Sequence, residues 1–106
     1  MTPLEPHVRR LLEWMPKAEL HLHLDGSLRT NTAIELAQQH GIDAPHTWRD
    51  MFHALVAPEH PGSQAELLKA FDLPIALMQW PDAMVRIAAE LVEDKARDNV
   101  RFMEVK

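Results

Sequence analysis

The run Lys17-Ala18-Glu19-Leu20-His21-Leu22-His23-Leu24-Asp25 constrains this chain more than any other, because apolar and polar residues alternate along most of it until Gly26-Ser27 breaks the pattern. A side-chain period of two belongs to a strand, and it sends Leu20, Leu22 and Leu24 to one face and Glu19, His21, His23 and Asp25 to the other. Imidazoles at i and i+2 stand roughly 7 Å apart along the backbone, at about 3.3 Å of rise per residue, which lets their rings converge on one ion. Asp25-Gly26-Ser27 is a turn signal, so the two histidines and a carboxylate fall at the strand's C-terminal end. In α/β barrels that end is where catalytic groups collect. The same alternation also suits an antiparallel sheet with one wet face, on which the histidines are merely solvated.

Around this strand the pattern is helical. Glu5 to Trp14 is predicted as a short helix, with Pro6 in its first turn and Val8, Leu11 and Leu12 as an apolar stripe. Pro16 ends it and launches a strand predicted from Lys17 to Leu24. Thr32 followed by Glu35 has capping-box spacing, and Ile34, Ala37 and a terminal Gly41 outline the next helix. Asp43 to Gly62, with Pro45, Pro58 and Pro61, is expected to be irregular or briefly helical. Ser63 and Glu66 offer a second capping box, and helical spacing continues through Leu67, Leu68, Phe71, Ile75 and Met78, with a kink or break expected at Pro74. Pro81 starts another helix whose apolar face carries Met84, Ile87, Ala88, Leu91, Val92 and Lys95, while Arg86, Glu90 and Asp94 fill the wet face. Asn99 closes it, and Val100 to Val105 returns as a strand. The order β-α-α-α-β predicts a right-handed crossover between parallel strands.

Charge and composition exclude several classes. Eleven Lys and Arg against sixteen Asp and Glu leave a net charge of −5, which repels phosphate backbones, so no nucleic-acid partner is expected. There is no cysteine; disulfides and thiolate zinc sites are therefore impossible. The apolar runs are too short for a bilayer and Leu11-Leu12 is flanked by Arg9, Arg10 and Glu13, so neither a membrane span nor an export signal is read, and a cytoplasmic location is expected.

Pro16 to Ser27, continued by Leu28-Arg29 and by the helix ending His40-Gly41-Ile42, resembles the opening of the adenosine deaminase family, the adenosine- and AMP-type deaminases of the metal-dependent amidohydrolase superfamily. Leu67-Leu68-Lys69-Ala70-Phe71-Asp72 and Ile87 to Lys106 continue the resemblance, with Val100 to Lys106 similar to the family's second barrel strand. It implies an α/β fold, the N-terminal part of a (β/α)8 TIM barrel. Such a barrel needs about 250 residues, so 106 residues are expected to be a fragment. Its parts are then a leading helix (1–15), the metal-site strand and turn (16–29), a helical crossover (30–99) and the second strand (100–106).

The resemblance implies zinc-dependent hydrolytic deamination of adenosine, or a related adenine nucleoside, to inosine and ammonia, by attack of metal-activated water on carbon 6 of the purine. Bound metal lowers the pKa of such water from about 15.7 to about 7. His21 and His23 are the two candidate metal ligands here. The family completes the Zn2+ site with a third histidine and an aspartate, and transfers protons through a glutamate and another histidine; no position of this chain matches these, so no catalytic residue is assigned and the chain alone is expected to be inactive. By the same resemblance His23 also touches substrate, Asp25 bonds the ribose, and Leu67, Leu68 and Phe71 cover the purine. From the residues themselves, Asp25 also suits an Asx-turn, Gly26 either gives the backbone room beside a ligand or permits positive φ, and a Leu/Phe stripe is ordinary core.

Other readings stay open. Relatives acting on free adenine tend to carry glutamate at the Asp25 position, and deaminases of bulkier compounds of the aminodeoxyfutalosine type share parts of the motif. Phosphotriesterase-like and dihydroorotase-like enzymes also begin with His-x-His, but Asp25-Gly26-Ser27-Leu28-Arg29 argues against them. A different class is a catalytically silent chain whose open strand edges bind a partner, the rest of the barrel or a second copy. The expected small-molecule partner is a purine nucleoside.

Overall fold

The computed structural model describes residues 2–106. Two six-residue strands, β1 (Lys17–Leu22) and β2 (Val100–Val105), pair in parallel. Parallel neighbours cannot be joined by a hairpin, and the chain between them forms α2 (Thr30–His40), α3 (Trp48–Leu55), α4 (Gln64–Leu68), α5 (Asp72–Leu77) and α6 (Pro81–Arg97); α1 (Pro6–Trp14) precedes β1. The fold is α/β. Among the described residues no helix is long and apolar enough to cross a membrane.

The core lies among the helices. Ala33, Leu36 and Ala37 of α2 pack with Met51 of α3, Leu77 of α5 and Ala83 and Ile87 of α6, with Leu24, Leu28 and Trp80 against them. Neither strand contributes a buried residue. Leu20, Phe102 and Val105 leave the sheet with exposed apolar surface, and α1 buries nothing.

Local chemistry sets most boundaries. Gly41 ends α2 at φ +66° and Asn99 ends α6 at φ 60°, both in the left-handed region that stops a helix. Thr47 accepts the amide of Asp50 and begins α3 inside the stretch expected to be irregular or briefly helical, which is how Met51 reaches the core. Ser63 accepts the Glu66 amide at 3.2 Å, while the Glu66 carboxylate returns to Gly62 at 2.7 Å, one residue earlier than a standard capping box.

Three helical expectations are corrected. Thr32 is not a cap: α2 begins at Thr30, and Thr32 is buried with its hydroxyl donating to Glu90 at 2.6 Å. The break expected at Pro74 falls earlier, in a 3-10 turn at Lys69–Phe71. Pro74 occupies the first turn of α5, where an amide has no partner within the helix and proline costs nothing. On α6 the buried stripe is Ala83, Ile87 and Leu91, whereas Met84 and Val92 are exposed.

The alternation expected along β1 also fails midway. Lys17 pairs with Val100, Ala18 with Phe102, Glu19 with Met103 and Leu22 with Val105, so one step of β1 spans two of β2 between Lys17 and Ala18, and three steps of β1 span two of β2 between Glu19 and Leu22. Glu19 accepts from Lys95 of α6 at 2.9 Å, on the helix side of the sheet. Leu20 and His21 are both exposed between the half-buried Glu19 and Leu22, so the alternation of burial is interrupted there.

Charge ties the segment after β1 to α6. The Arg29 guanidinium donates to Asp94 at 2.8 Å, Glu93 at 3.0 Å and Glu90 at 3.1 Å. Glu90, expected on the wet face, has a side chain only 13% exposed and also receives Arg86 and Thr32. Hydrogen bonding to Asp94, then to Glu93, holds the Arg29 pKa above its ordinary value, and the Arg29 hydrogen bond in turn lowers that of Asp94 against the opposing push of burial.

A carboxyl whose folded pKa is lowered contributes stability that is complete above its unfolded pKa and is lost as pH falls through the folded value. The difference in urea midpoint between the native protein and Arg29→Met should therefore be constant from neutral pH down to about 5 and shrink below about pH 4. A difference that grows on acidification contradicts this assignment.

Candidate metal centre

β1 stops at Leu22, two residues short of the alternation, because the backbone turns. His23 caps a single 3-10 turn, Leu24–Gly26, in which the Gly26 amide donates to the His23 carbonyl and the Ser27 amide to that of Leu24. The Ser27 hydroxyl donates to the His23 carbonyl as well. Lys106 brackets His23 from the second strand, its amide donating to Leu22 at 2.7 Å and its carbonyl accepting from Leu24 at 2.9 Å. The residue carrying the second imidazole is thus fixed from both sides.

The rings of His21 and His23 converge. Their Nε2 atoms are 3.0 Å apart, with ring centroids at 4.8 Å and planes at 67°. Zinc–imidazole bonds are about 2.0–2.1 Å long, so this gap is shorter than two such bonds end to end and both nitrogens reach one ion. Without an ion, the same separation suits one ring donating N–H to the other. The pair fits two positions of a metal's ligand set; among the described residues no group of three or more His, Cys, Asp or Glu side chains is arranged to hold one.

Asp25 lies 3.9 Å from Nδ1 of His23, too far for a hydrogen bond. The Asx-turn reading is not realised, since the Gly26 and Ser27 amides are taken by backbone carbonyls. Its carboxylate is 29% exposed and faces a groove of two cavities, each about 350 Å³, that share His23, Asp25 and Ile75.

One cavity is completed by Leu68, Phe71 and Asp72, and the other reaches Met78, Met84 and Lys106. The Phe71 ring meets that of His23 edge-on at 6.1 Å. A Cβ on Gly26 would lie 3.5 Å from Phe71, so Gly26 belongs to the same cluster; its φ is not in the left-handed region. His23, Asp25, Gly26, Leu68 and Phe71 are therefore brought together, whereas Leu67 lines neither cavity. Ile75 and Asp72 were not picked out as site residues, although Leu68, Phe71, Asp72 and Ile75 have the i, i+3, i+4, i+7 spacing that puts residues on one side.

The family model described as adenosine deaminase matches residues 16–106. The chain belongs to the adenosine deaminase family. It is 45% identical over 93 residues to the adenosine deaminase of Shewanella halifaxensis and 42% identical over 92 residues to that of Vibrio atlanticus, covering 87% of this chain in each case. Among solved structures, the Arabidopsis N6-mAMP deaminase superposes with a TM-score of 0.69 at 34% identity, and the ADAL–IMP complex with 0.68 at 35%. Both superpositions cover 91% of this chain. The chain spans 28% of the length of each of these relatives. Its parallel strands and connecting helices are a portion of the adenosine deaminase barrel, a family of metal-dependent hydrolases.

Ordinary van der Waals room at Gly26 makes a definite prediction. Gly26→Ala should fold with stability changed by no more than about 0.5 kcal/mol, as for substitutions that break no packing or backbone requirement, measured by urea denaturation. A loss of several kcal/mol would show that the glycine is needed by the backbone.

Proposed function

We propose that this chain serves a zinc-dependent deaminase that hydrolyses adenosine, or a related adenine nucleoside, to inosine and ammonia, with His21 and His23 as two of the metal's ligands. The observation that carries the proposal is the 3.0 Å approach of the two Nε2 atoms, beside a carboxylate and an apolar groove. A bound zinc ion supplies the Lewis acidity that makes water a nucleophile near neutral pH.

The remaining work of this chain is binding. Asp25, whose carboxylate makes no hydrogen bond among the described residues, accepts from a sugar hydroxyl. Leu68, Phe71 and Ile75 cover an aromatic base and exclude water from it. Leu20, Phe102 and Val105 are exposed and are covered by further barrel elements or another copy.

Relatives solved with IMP and GMP support a purine as the ligand class. Asp25 and Asp72 in the same cavity disfavour an added phosphate and favour a nucleoside, while Lys106 in the neighbouring cavity favours the nucleotide as a second reading. Turnover of adenosine, AMP and adenine by one preparation separates the readings.

In the intact protein, His21→Ala should abolish stoichiometric zinc, measured by atomic emission, and reduce turnover by more than about 100-fold, beyond what loss of an outer partner costs. Asp25→Ala should raise KM for adenosine about 10- to 100-fold, corresponding to about 1.5–3 kcal/mol for a hydrogen bond to a charged group, and leave KM for free adenine unchanged. Undiminished zinc and turnover in the His21 variant would defeat the proposal.

A further inference from the structure

We propose that the register slip between Glu19 and Leu22 sets the face on which His21 and His23 meet, and that Glu19, held by Lys95, is the positioning residue that fixes where the slip occurs. This rests on the reading of His21 and His23 as a metal pair. In an unbroken strand residues 19, 21 and 23 share a face. Here Lys17 and Glu19 are both drawn to α6 and its C-terminal cap. The Lys17 ammonium donates to the carbonyl of Asp98 at 2.6 Å and to its carboxylate at 3.1 Å, and Glu19 accepts from Lys95 at 2.9 Å.

Regular pairing beyond Glu19 would carry His21 and His23 to the same side, against α6. The extra residue of β1 reverses the phase. Leu20 is 64% exposed and His21 is exposed beside it, Leu22 is half-buried, and Leu24 packs against the helical core. From Leu22 onward the leucines turn toward the helical core, and the exposed imidazoles meet at the strand end, with His23 beside Phe71.

A bulge in parallel pairing is uncommon, and bulges concentrate where a side chain must be re-aimed beside a site. His-x-His spacing alone brings the two rings to a common face; the slip decides which face that is. The Glu19–Lys95 pair is partly screened, with side chains 37% and 25% exposed, so its role is orientation more than stability.

The test is zinc affinity of the intact apoprotein, measured by competition with a chromophoric chelator. Deleting Leu20 removes the extra β1 residue between Glu19 and Leu22 and should weaken zinc at least about 100-fold while circular dichroism is retained, whereas Leu20→Ala, which keeps the residue count, should stay within about 3-fold. Glu19→Lys should weaken zinc roughly 10-fold, and adding Lys95→Glu should restore it, a rescue that a loss of general stability would not produce. A folded Leu20 deletion that binds zinc like the native protein overturns the inference. If the deletion does not fold, Glu19→Lys decides, and unchanged affinity there overturns it. Native protein that binds no zinc, or binds it equally well after His21→Ala, instead overturns the metal reading and this inference with it.

Discussion

Parallel pairing of β1 with β2 is the constraint on which the rest depends. Strands running the same way need a crossover, and everything from His23 to Asn99 supplies one. That crossover builds its own core from α2, α3, α5 and α6, so the sheet is not buried by it. The strand pair instead carries the site at its C-terminal end. There the two hydrogen bonds between Lys106 and the residues flanking His23 transmit the position of β2 to the second imidazole.

Electrostatics links the turn to the helices. Arg29 follows the Asp25 turn by four residues and is held by three carboxylates of α6, one of them largely buried and shared with Arg86 and Thr32. A buried carboxylate needs its donors, and Glu90 has them from three side chains. The turn is therefore anchored on one side by backbone bonds to β2 and on the other by charge on α6, while the groove between them is closed by short helical pieces around Phe71. Those pieces carry few buried residues, the pattern of a segment that opens at low cost.

Much of this was readable from residues whose role is local. Gly41, Pro81, Asn99 and the Ser63–Glu66 pair announce their boundaries because capping and left-handed turns depend on a few neighbouring atoms. Thr32 and Glu90 were misread because their partners lie on different helices, and a long-range hydroxyl–carboxylate bond leaves no trace in spacing. The phase of β1 was misread for a related reason. Alternation in sequence assumes an unbroken ladder, whereas Glu19 follows Lys95 and the strand slips to accommodate it. The histidine pair was legible because rings two residues apart converge whichever way the strand faces; that Leu68 joins Phe71 in the groove while Leu67 does not required the path of α4.

The central claim is that His21 and His23 jointly hold one metal ion at the C-terminal end of β1. A crystal structure of the intact protein grown with zinc, with anomalous diffraction locating the metal, tests it most directly. The account predicts one ion bonded to Nε2 of both residues at about 2.0–2.1 Å. Zinc bound without either imidazole, or a His21 ring lying against α6 beside Lys95, would contradict it.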